Sequence, residues 1–120
     1  MTQALLIVDH GSVKQESNLL VEQLAQLIAS LRTDLKVHFA HLDLAEPTIE
    51  QGFQRCVEDG ASEVIVHPYM LAAGRHATED VPNTVAAIAG RFPHVKVRVT
   101  DPLGLHRKLA EVVLERAALA

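Results

Sequence analysis

Short apolar runs alternate with stretches of helical periodicity along this 120-residue chain. Residues 4–8 (ALLIV), 63–67 (EVIVH) and 95–99 (VKVRV) each have the apolar character of a strand in a parallel sheet. A further strand is predicted between residues 35 and 44. The first run is stopped by Asp9, His10, Gly11 and Ser12, so a polar loop follows it directly.

Helices are predicted after each of these strands. Leucine and isoleucine recur at helical spacing in the first of them, and Pro47 suits the first turn of the second, which ends before Gly60. The predicted helices cover residues 16–31, 47–58, 79–91 and 105–119. The segment from Pro68 to Thr78 is predicted to be a long loop, and Pro82 must then lie in the first turn of the third helix.

Four strand–helix units in succession favour a parallel sheet with helices on both faces. We therefore predict an α/β fold, a three-layer sandwich with a four-stranded parallel sheet, flavodoxin-like, in a single domain over residues 1–120. Polar residues near helix starts are explained by capping in this scheme. These capping candidates are Glu16, Asn18, Glu79 and Asp80.

Composition excludes several classes of function. The net charge is -4 and aromatic residues make up 3% of the chain, with no Trp, so neither a basic field nor a stacking surface for nucleic acid is expected. No apolar run reaches membrane-spanning length, and no secretory leader is apparent, so we expect a cytoplasmic protein without a membrane partner. Cys56 is the single cysteine and is expected to be a packing residue.

Candidate chemistry follows the ends of the predicted strands. Because parallel strands all end at one edge of a sheet, where ligands bind, His10, Asp43 and His76 should converge there. Imidazole is the commonest side-chain metal ligand and titrates near neutral pH. We therefore predict a metal or proton-transfer site formed by His10 and His76, with Asp43 as a further ligand or proton acceptor.

Other polar residues near this edge have competing explanations. Glu46 precedes Pro47, so it either contributes to the site or caps the helix. Arg75 either binds a carboxylate through its planar guanidinium or is a solvated surface residue. Ser12 has no nucleophile-elbow motif around it. The remaining histidines are expected to be structural or surface residues, namely His38, His41, His67, His94 and His106.

Four blocks in this order and spacing resemble the sirohydrochlorin chelatases, which belong to the class II metal-inserting tetrapyrrole chelatases. They are VDHGS (residues 8–12), ESN (16–18), HLDLAEPTIEQGF (41–53) and AAGRHATEDVP (72–82), and DPLGLH (101–106) resembles the family's fourth strand exit. The resemblance implies a chelatase-like domain that inserts Fe²⁺ or Co²⁺ into sirohydrochlorin without ATP, in sirohaem or cobalamin biosynthesis. Ni²⁺ is a further metal that such a site accepts.

The resemblance also implies roles for individual residues. His10 and His76 would bind metal and remove protons, and Asp43 would keep the role of an acidic ligand. From their positions near the same edge, Ser12, Glu46 and Arg75 are expected to contact the substrate. The metal is a substrate here, and neither an organic cofactor nor an iron–sulfur cluster is expected. Many class II chelatases carry two such domains, so a chain resembling one of them is expected to form a homodimer.

Two other functions remain open on the sequence alone. A non-enzymatic metal or tetrapyrrole carrier would use the same edge of the sheet without accelerating insertion. A flavodoxin-like binding domain for an unrelated small ligand would bind neither.

Overall fold

The computed structural model describes residues 2–119, and within them four parallel strands form one sheet in the order β2-β1-β3-β4. In chain order the elements are β1 (Gln3–Asp9), α1 (Gln15–Leu31), β2 (Lys36–His41), α2 (Ile49–Glu58), β3 (Glu63–Pro68), α3 (Val81–Ala89), β4 (Lys96–Val99) and α4 (Arg107–Arg116). The predicted α/β fold with a four-stranded parallel sheet is therefore confirmed.

The direction of the strand connections determines which face each helix covers. The chain moves from β1 outward to β2, then back past β1 to β3 and on to β4. Because such crossovers are right-handed, reversing direction moves the helix to the opposite face. Accordingly α1 packs on one face, over β1 and β2, whereas α2 and α3 pack on the other.

The larger part of the core lies between the sheet and the α2–α3 layer. Alternate strand residues point into it, and Leu6, Val8 and Phe53 are all fully buried there. Cys56 belongs to the same cluster, and burial raises the pKa of its thiol to about 12. The predicted packing role of Cys56 is confirmed, since such a thiol stays protonated and unreactive at neutral pH.

Three predicted helix starts are two residues too early, and the fourth helix begins at Arg107 rather than at Leu105. The second helix begins at Ile49 rather than at Pro47, because Thr48 and Gln51 form a reciprocal capping box with each other's backbone N–H groups. The third begins at Val81 rather than at Glu79, and a wider, π-helical turn over His76–Asp80 precedes it. Pro82 does lie in the first turn of α3, as predicted.

The last helix differs from the others in its surroundings. None of its residues is buried, and within the described chain α4 packs closely against no other helix or strand. Its amphipathic pattern is present, but its apolar side is largely exposed within residues 2–119. No helix in this part of the chain has the length and apolar character needed to cross a membrane.

Candidate metal-insertion site

Three neighbouring strands deliver the candidate residues to one edge of the sheet. His10 follows β1, Asp43 follows β2, and His76 follows β3, and β1 lies between the other two. The first two loops are joined by their backbones, since the Asp43 N–H donates to the carbonyl oxygen of His10 at 3.0 Å. The sheet order thus brings together groups that are far apart in sequence.

The imidazoles of His10 and His76 meet edge to face. Their ring centroids are 5.1 Å apart and the ring planes are at 89°. Both side chains are exposed, and both line a cleft of about 460 Å³. Much of the remaining cleft wall is apolar and comes from the segment after β3, including Met70, Leu71 and Ala72. The structure therefore presents two imidazoles beside an apolar surface.

Asp80 fixes the orientation of His76. The two residues are four positions apart in the sequence. The π-helical turn brings Asp80 Oδ2 to 2.7 Å from His76 Nδ1. A carboxylate accepts the Nδ1–H hydrogen bond, which leaves Nε2 with a free lone pair for a metal. His76 therefore lies in a helical turn, not in a loop as predicted. Asp80 makes no capping hydrogen bond, so the capping role predicted for it is wrong.

Asp43 lies close to the pair without completing a three-ligand metal site. It lines a second cleft, of about 350 Å³, together with His76 and Asp80. Its Oδ1 accepts a hydrogen bond from the Leu44 N–H at 2.8 Å. Within residues 2–119, no three His, Cys, Asp or Glu side chains are arranged to hold a metal ion. The protein thus offers an incomplete ligand shell.

Gly11 allows the loop after β1 to lie directly against the loop after β2. Its φ is +87°, a conformation that glycine adopts readily. A Cβ atom at this position would lie 1.8 Å from the carbonyl oxygen of Asp43. No larger residue fits there without displacing one of the two loops. The sequence Asp9-His10-Gly11 therefore places an imidazole at a tight strand exit.

Asn18 binds the backbone of the loop that follows β1. Its Oδ1 accepts from the backbone N–H of Ser12 at 2.9 Å, and its Nδ2 donates to the Ser12 carbonyl oxygen at 2.8 Å. Asn18 is buried one turn into α1, whose N-cap is Lys14, so the predicted capping role is wrong. An Asn on the otherwise apolar, sheet-facing side of α1 was the signal for this buried role.

Asn18→Ala should destabilise the protein by about 2 kcal/mol, since it removes two hydrogen bonds worth about 1 kcal/mol each and leaves the Ser12 backbone without these partners. Urea unfolding followed by circular dichroism measures this change. Gln23→Ala, at an exposed position on the same helix, is the matched control and should change stability by less than about 0.5 kcal/mol. Equal effects of the two substitutions would show that Asn18 does not stabilise the loop.

The three predicted substrate-contact residues occupy different surroundings. Ser12 and Glu46 line a third cleft, of about 640 Å³, together with Asp43. Glu46 does not cap α2 and instead accepts a hydrogen bond from the Gln51 side chain at 2.8 Å. Arg75 is exposed and lies 3.3 Å from Glu79 in an ion pair, so Glu79 also has a role other than the predicted capping.

His41 and His67 are structural groups behind the site. His41 is 1% exposed, and its Nδ1 lies 2.6 Å from Asp9 Oδ1. This hydrogen bond joins the ends of β1 and β2, directly before His10. His67 hydrogen-bonds Thr100 at 2.8 Å, and its burial lowers the pKa of the imidazole. The role of Asp9 was missed by the sequence analysis, which had no signal for its pairing across strands.

A larger concavity, of about 850 Å³, lies along the outer side of α2. Most of its lining residues are polar, and none of them is a histidine. It is far less suited to metal chemistry than the smaller clefts around His10 and His76. We therefore place the candidate site at the carboxyl edge of the sheet, where the imidazoles meet.

The fold and the histidine pair define an α/β protein with metal-binding groups at the carboxyl edge of a parallel sheet. The CbiX family model matches residues 4–120, and the chain belongs to the CbiX family. This membership confirms the predicted resemblance to the sirohydrochlorin chelatases.

Individual relatives agree with this assignment. Over 112 residues the chain is 40% identical to the chloroplastic sirohydrochlorin ferrochelatase of Arabidopsis thaliana, a match that covers 93% of this chain and 50% of the plant protein. It is 30% identical to the sirohydrochlorin cobaltochelatase of Sulfurisphaera tokodaii, with 93% and 88% covered.

A crystal structure of the sirohydrochlorin chelatase SirB from Bacillus subtilis subspecies spizizenii, in complex with cobalt, superposes with a TM-score of 0.91 at 30% identity. The match covers 98% of this chain and 50% of SirB. The chain therefore spans about half the length of SirB and of the plant ferrochelatase.

Proposed function

We propose that this chain inserts Fe²⁺ or Co²⁺ into sirohydrochlorin without ATP. The observation that carries the proposal is the edge-to-face pair of His10 and His76 at the carboxyl edge of the sheet. Relatives named as ferrochelatases and cobaltochelatases support the choice of reaction and metals. Imidazole binds iron, cobalt and nickel alike, so the ligands leave all three metals as candidates.

An incomplete ligand shell suits a metal ion that the protein must transfer to the macrocycle. In this proposal His10 and His76 bind the incoming ion through neutral imidazole nitrogens, and the remaining coordination positions stay open. Nitrogens of the macrocycle then take up those positions as the ion leaves the protein. A closed four-ligand site would hold the ion as a structural metal instead.

Two pyrrolic protons must leave the macrocycle as the metal enters. Asp43 shares a cleft with His76, so its carboxylate is the proposed acceptor of one of them, or a transient ligand. The apolar wall formed by Leu71 and Ala72 is the proposed resting surface for the ring plane. The substrate-contact roles of Ser12, Glu46 and Arg75 stay predictions from the sequence.

Anaerobic absorption spectra test the proposal directly. Sirohydrochlorin and Co²⁺ are mixed with and without the protein, and the conversion of the macrocycle spectrum is followed in time. An insertion rate well above the spontaneous rate is expected. Binding of sirohydrochlorin without acceleration would identify a carrier instead, and no binding at all would favour a domain for an unrelated ligand.

Asp80→Asn should weaken metal delivery without removing either imidazole. An amide cannot accept the Nδ1–H bond with the strength of a carboxylate, so we expect a 10- to 100-fold loss in metal affinity or insertion rate. Cobalt titration and the insertion assay measure it. Glu79→Gln, one residue away and paired only with the exposed Arg75, is the matched control. An unchanged cobalt affinity in Asp80→Asn would contradict the orienting role.

We also propose that the working form is a homodimer in the cytoplasm. The length relation to SirB supports the dimer, because two copies of this chain match the length of one SirB chain. Two-fold dimers are the commonest assemblies of soluble proteins.

A further inference from the structure

The two imidazoles of the candidate site are held in different ways. Asp80 orients His76 through the hydrogen bond at Nδ1. The His10 imidazole contacts the His76 ring, but within residues 2–119 no side chain forms a hydrogen bond with it. The position of His10 therefore depends on the chain on either side of it, at Asp9 and Gly11.

A single buried side chain, that of His41, contacts both neighbours of His10. His41 lies directly opposite Asp9 in the register of β2 against β1, and its Nδ1 is 2.6 Å from Asp9 Oδ1. On the other side, a Cβ atom added to Gly11 would lie 3.0 Å from the Cβ of His41, so the Gly11 backbone packs against this side chain. His41 thus contacts the chain directly before and directly after His10.

His41 is itself firmly fixed. It is the most buried histidine of the described chain. Its backbone N–H donates to the Pro47 carbonyl oxygen at 2.8 Å, and its ring meets the Phe39 ring edge to face, with the centroids 5.9 Å apart. Because protein interiors are close-packed, a side chain held at several points determines the position of the groups that it contacts.

The same strand end is connected to Asp43. The Asp9 carbonyl oxygen accepts from the Leu42 N–H at 2.9 Å, and the His10 carbonyl oxygen accepts from the Asp43 N–H at 3.0 Å. Asp43 and His41 also line the same cleft. The Asp9–His41 pair therefore lies next to two backbone hydrogen bonds that hold the His10 and Asp43 loops together.

Fold stability alone does not explain a polar pair at this position. Two well-packed apolar side chains often stabilise a protein as well as a buried pair of ionisable groups, because removing such groups from water is costly. A hydrogen bond differs from an apolar contact in having a preferred direction. The side chain of Asp9 is only 19% exposed, and its bond to His41 fixes the orientation of the residue that leads into His10.

We propose that His41 is the positioning residue for His10, acting through Asp9 and Gly11, and that it sets the geometry in which His10 meets His76. The inference rests on the metal-insertion function proposed above and names the residues that hold one of its metal ligands in place. In this role His41 touches neither the metal nor the macrocycle. A displacement of His10 by about 1 Å is enough to lower the insertion rate about 100-fold, because rates depend steeply on the placement of reacting groups.

His41→Phe tests the proposal, because phenylalanine keeps an aromatic ring at this position but cannot donate to Asp9. We expect kcat for Co²⁺ insertion to fall about 10- to 100-fold, whereas KM for sirohydrochlorin should change by less than about threefold. KM is spared because the apolar wall that includes Leu71 and Ala72 belongs to the segment after β3. His41→Asn is the conservative variant and should restore most of the rate, since its amide donates from nearly the same place as Nδ1.

His38→Phe is the matched control. His38 lies on the same strand and also contacts a carboxylate at 2.6 Å, that of Asp59, but near the start of β2 and on the opposite face of the sheet. Its substitution should leave kcat and KM unchanged. Asp9→Ala is the second test variant, because it removes the same pair from its more exposed member, and it should lower kcat as His41→Phe does. Circular dichroism checks that each variant is folded.

NMR spectroscopy of the metal-free protein gives a readout that needs no substrate. With ring centroids 5.1 Å apart, His10 and His76 should show a nuclear Overhauser effect between their ring protons. This cross-peak should be present in the unaltered protein, in His38→Phe and in His41→Asn, and lost in His41→Phe and Asp9→Ala.

Persistence of the cross-peak, or an unchanged kcat, in folded His41→Phe and Asp9→Ala would overturn the positioning role. Absence of the cross-peak from the unaltered protein, or unfolding of both test variants, would overturn it as well. An unaltered protein that shows the cross-peak but inserts no metal would contradict the proposed function alone. The cross-peak in the two test variants would then still decide whether His41 positions His10.

Discussion

His76→Ala and His10→Ala should each reduce metal insertion into sirohydrochlorin to near the spontaneous rate. Each substitution removes one of two imidazoles that meet at the site, and a lone imidazole holds a metal too weakly to deliver it. The loss should be at least about 100-fold, above the range typical of an outer-shell partner. Initial insertion rates with Co²⁺, measured at several metal concentrations, give this value.

The matched control for these variants is His94→Ala. His94 is also exposed, but it precedes β4 and lies at the opposite edge of the sheet. Its removal should leave the insertion rate unchanged. The two site variants should keep their circular dichroism spectra, because exposed side chains contribute little to stability. Insertion rates near that of the unaltered protein in both site variants would show that the two histidines take no part in the reaction.

Gly11→Ala should be the most damaging single substitution in the loop after β1. A left-handed conformation costs a residue with a Cβ about 1–2 kcal/mol. The clash of that Cβ with the Asp43 carbonyl oxygen adds about 1–3 kcal/mol, because backbone at the end of β2 cannot move aside easily. The free energy of unfolding should therefore fall by about 2–5 kcal/mol, or the His10 loop should be displaced.

Gly60→Ala separates the cost of the left-handed backbone conformation from the cost of the steric clash. Gly60 has a φ of +86°, nearly that of Gly11, but its Cβ would meet no atom within 4 Å. Its substitution should cost only about 1–2 kcal/mol, the backbone contribution alone. Urea unfolding of both variants gives the difference. Equal costs with unchanged insertion would mean that close contact between the two loops is unimportant.

The sheet and the approach of the two histidines could be predicted from the sequence because they follow from strong, local patterns. Buried strands such as ALLIV have a clear apolar signature, and parallel strands necessarily end at one edge. His10 and His76 then fall at that edge whatever the details of the loops. Family membership agrees with the resemblance found in the ordered sequence blocks.

The positions of supporting residues could not be predicted in the same way. Asn18 and Asp80 both lie near helix starts, where capping is the usual role of such residues. Their partners, the Ser12 backbone and His76, become apparent only once the turns are built. The start of α2 was different, since the Thr48–Gln51 pair is a recognisable capping-box signature that outweighs Pro47.

The surroundings of α4 show a further limit of periodicity. The sequence predicted an amphipathic helix near residues 105–119, and the structure has one at Arg107–Arg116. A helical pattern indicates which side is apolar, but not whether that side is covered. In the described chain this side stays largely exposed.

The central claim is that His10 and His76 together bind the metal that is inserted. X-ray absorption spectroscopy of the Co²⁺-loaded protein, without sirohydrochlorin, tests it most directly. The account predicts imidazole scattering from at least two histidines per cobalt, lost in the His10→Ala/His76→Ala double variant and unchanged in His94→Ala. Cobalt bound without imidazole scattering, or the same spectrum in the double variant, would contradict it.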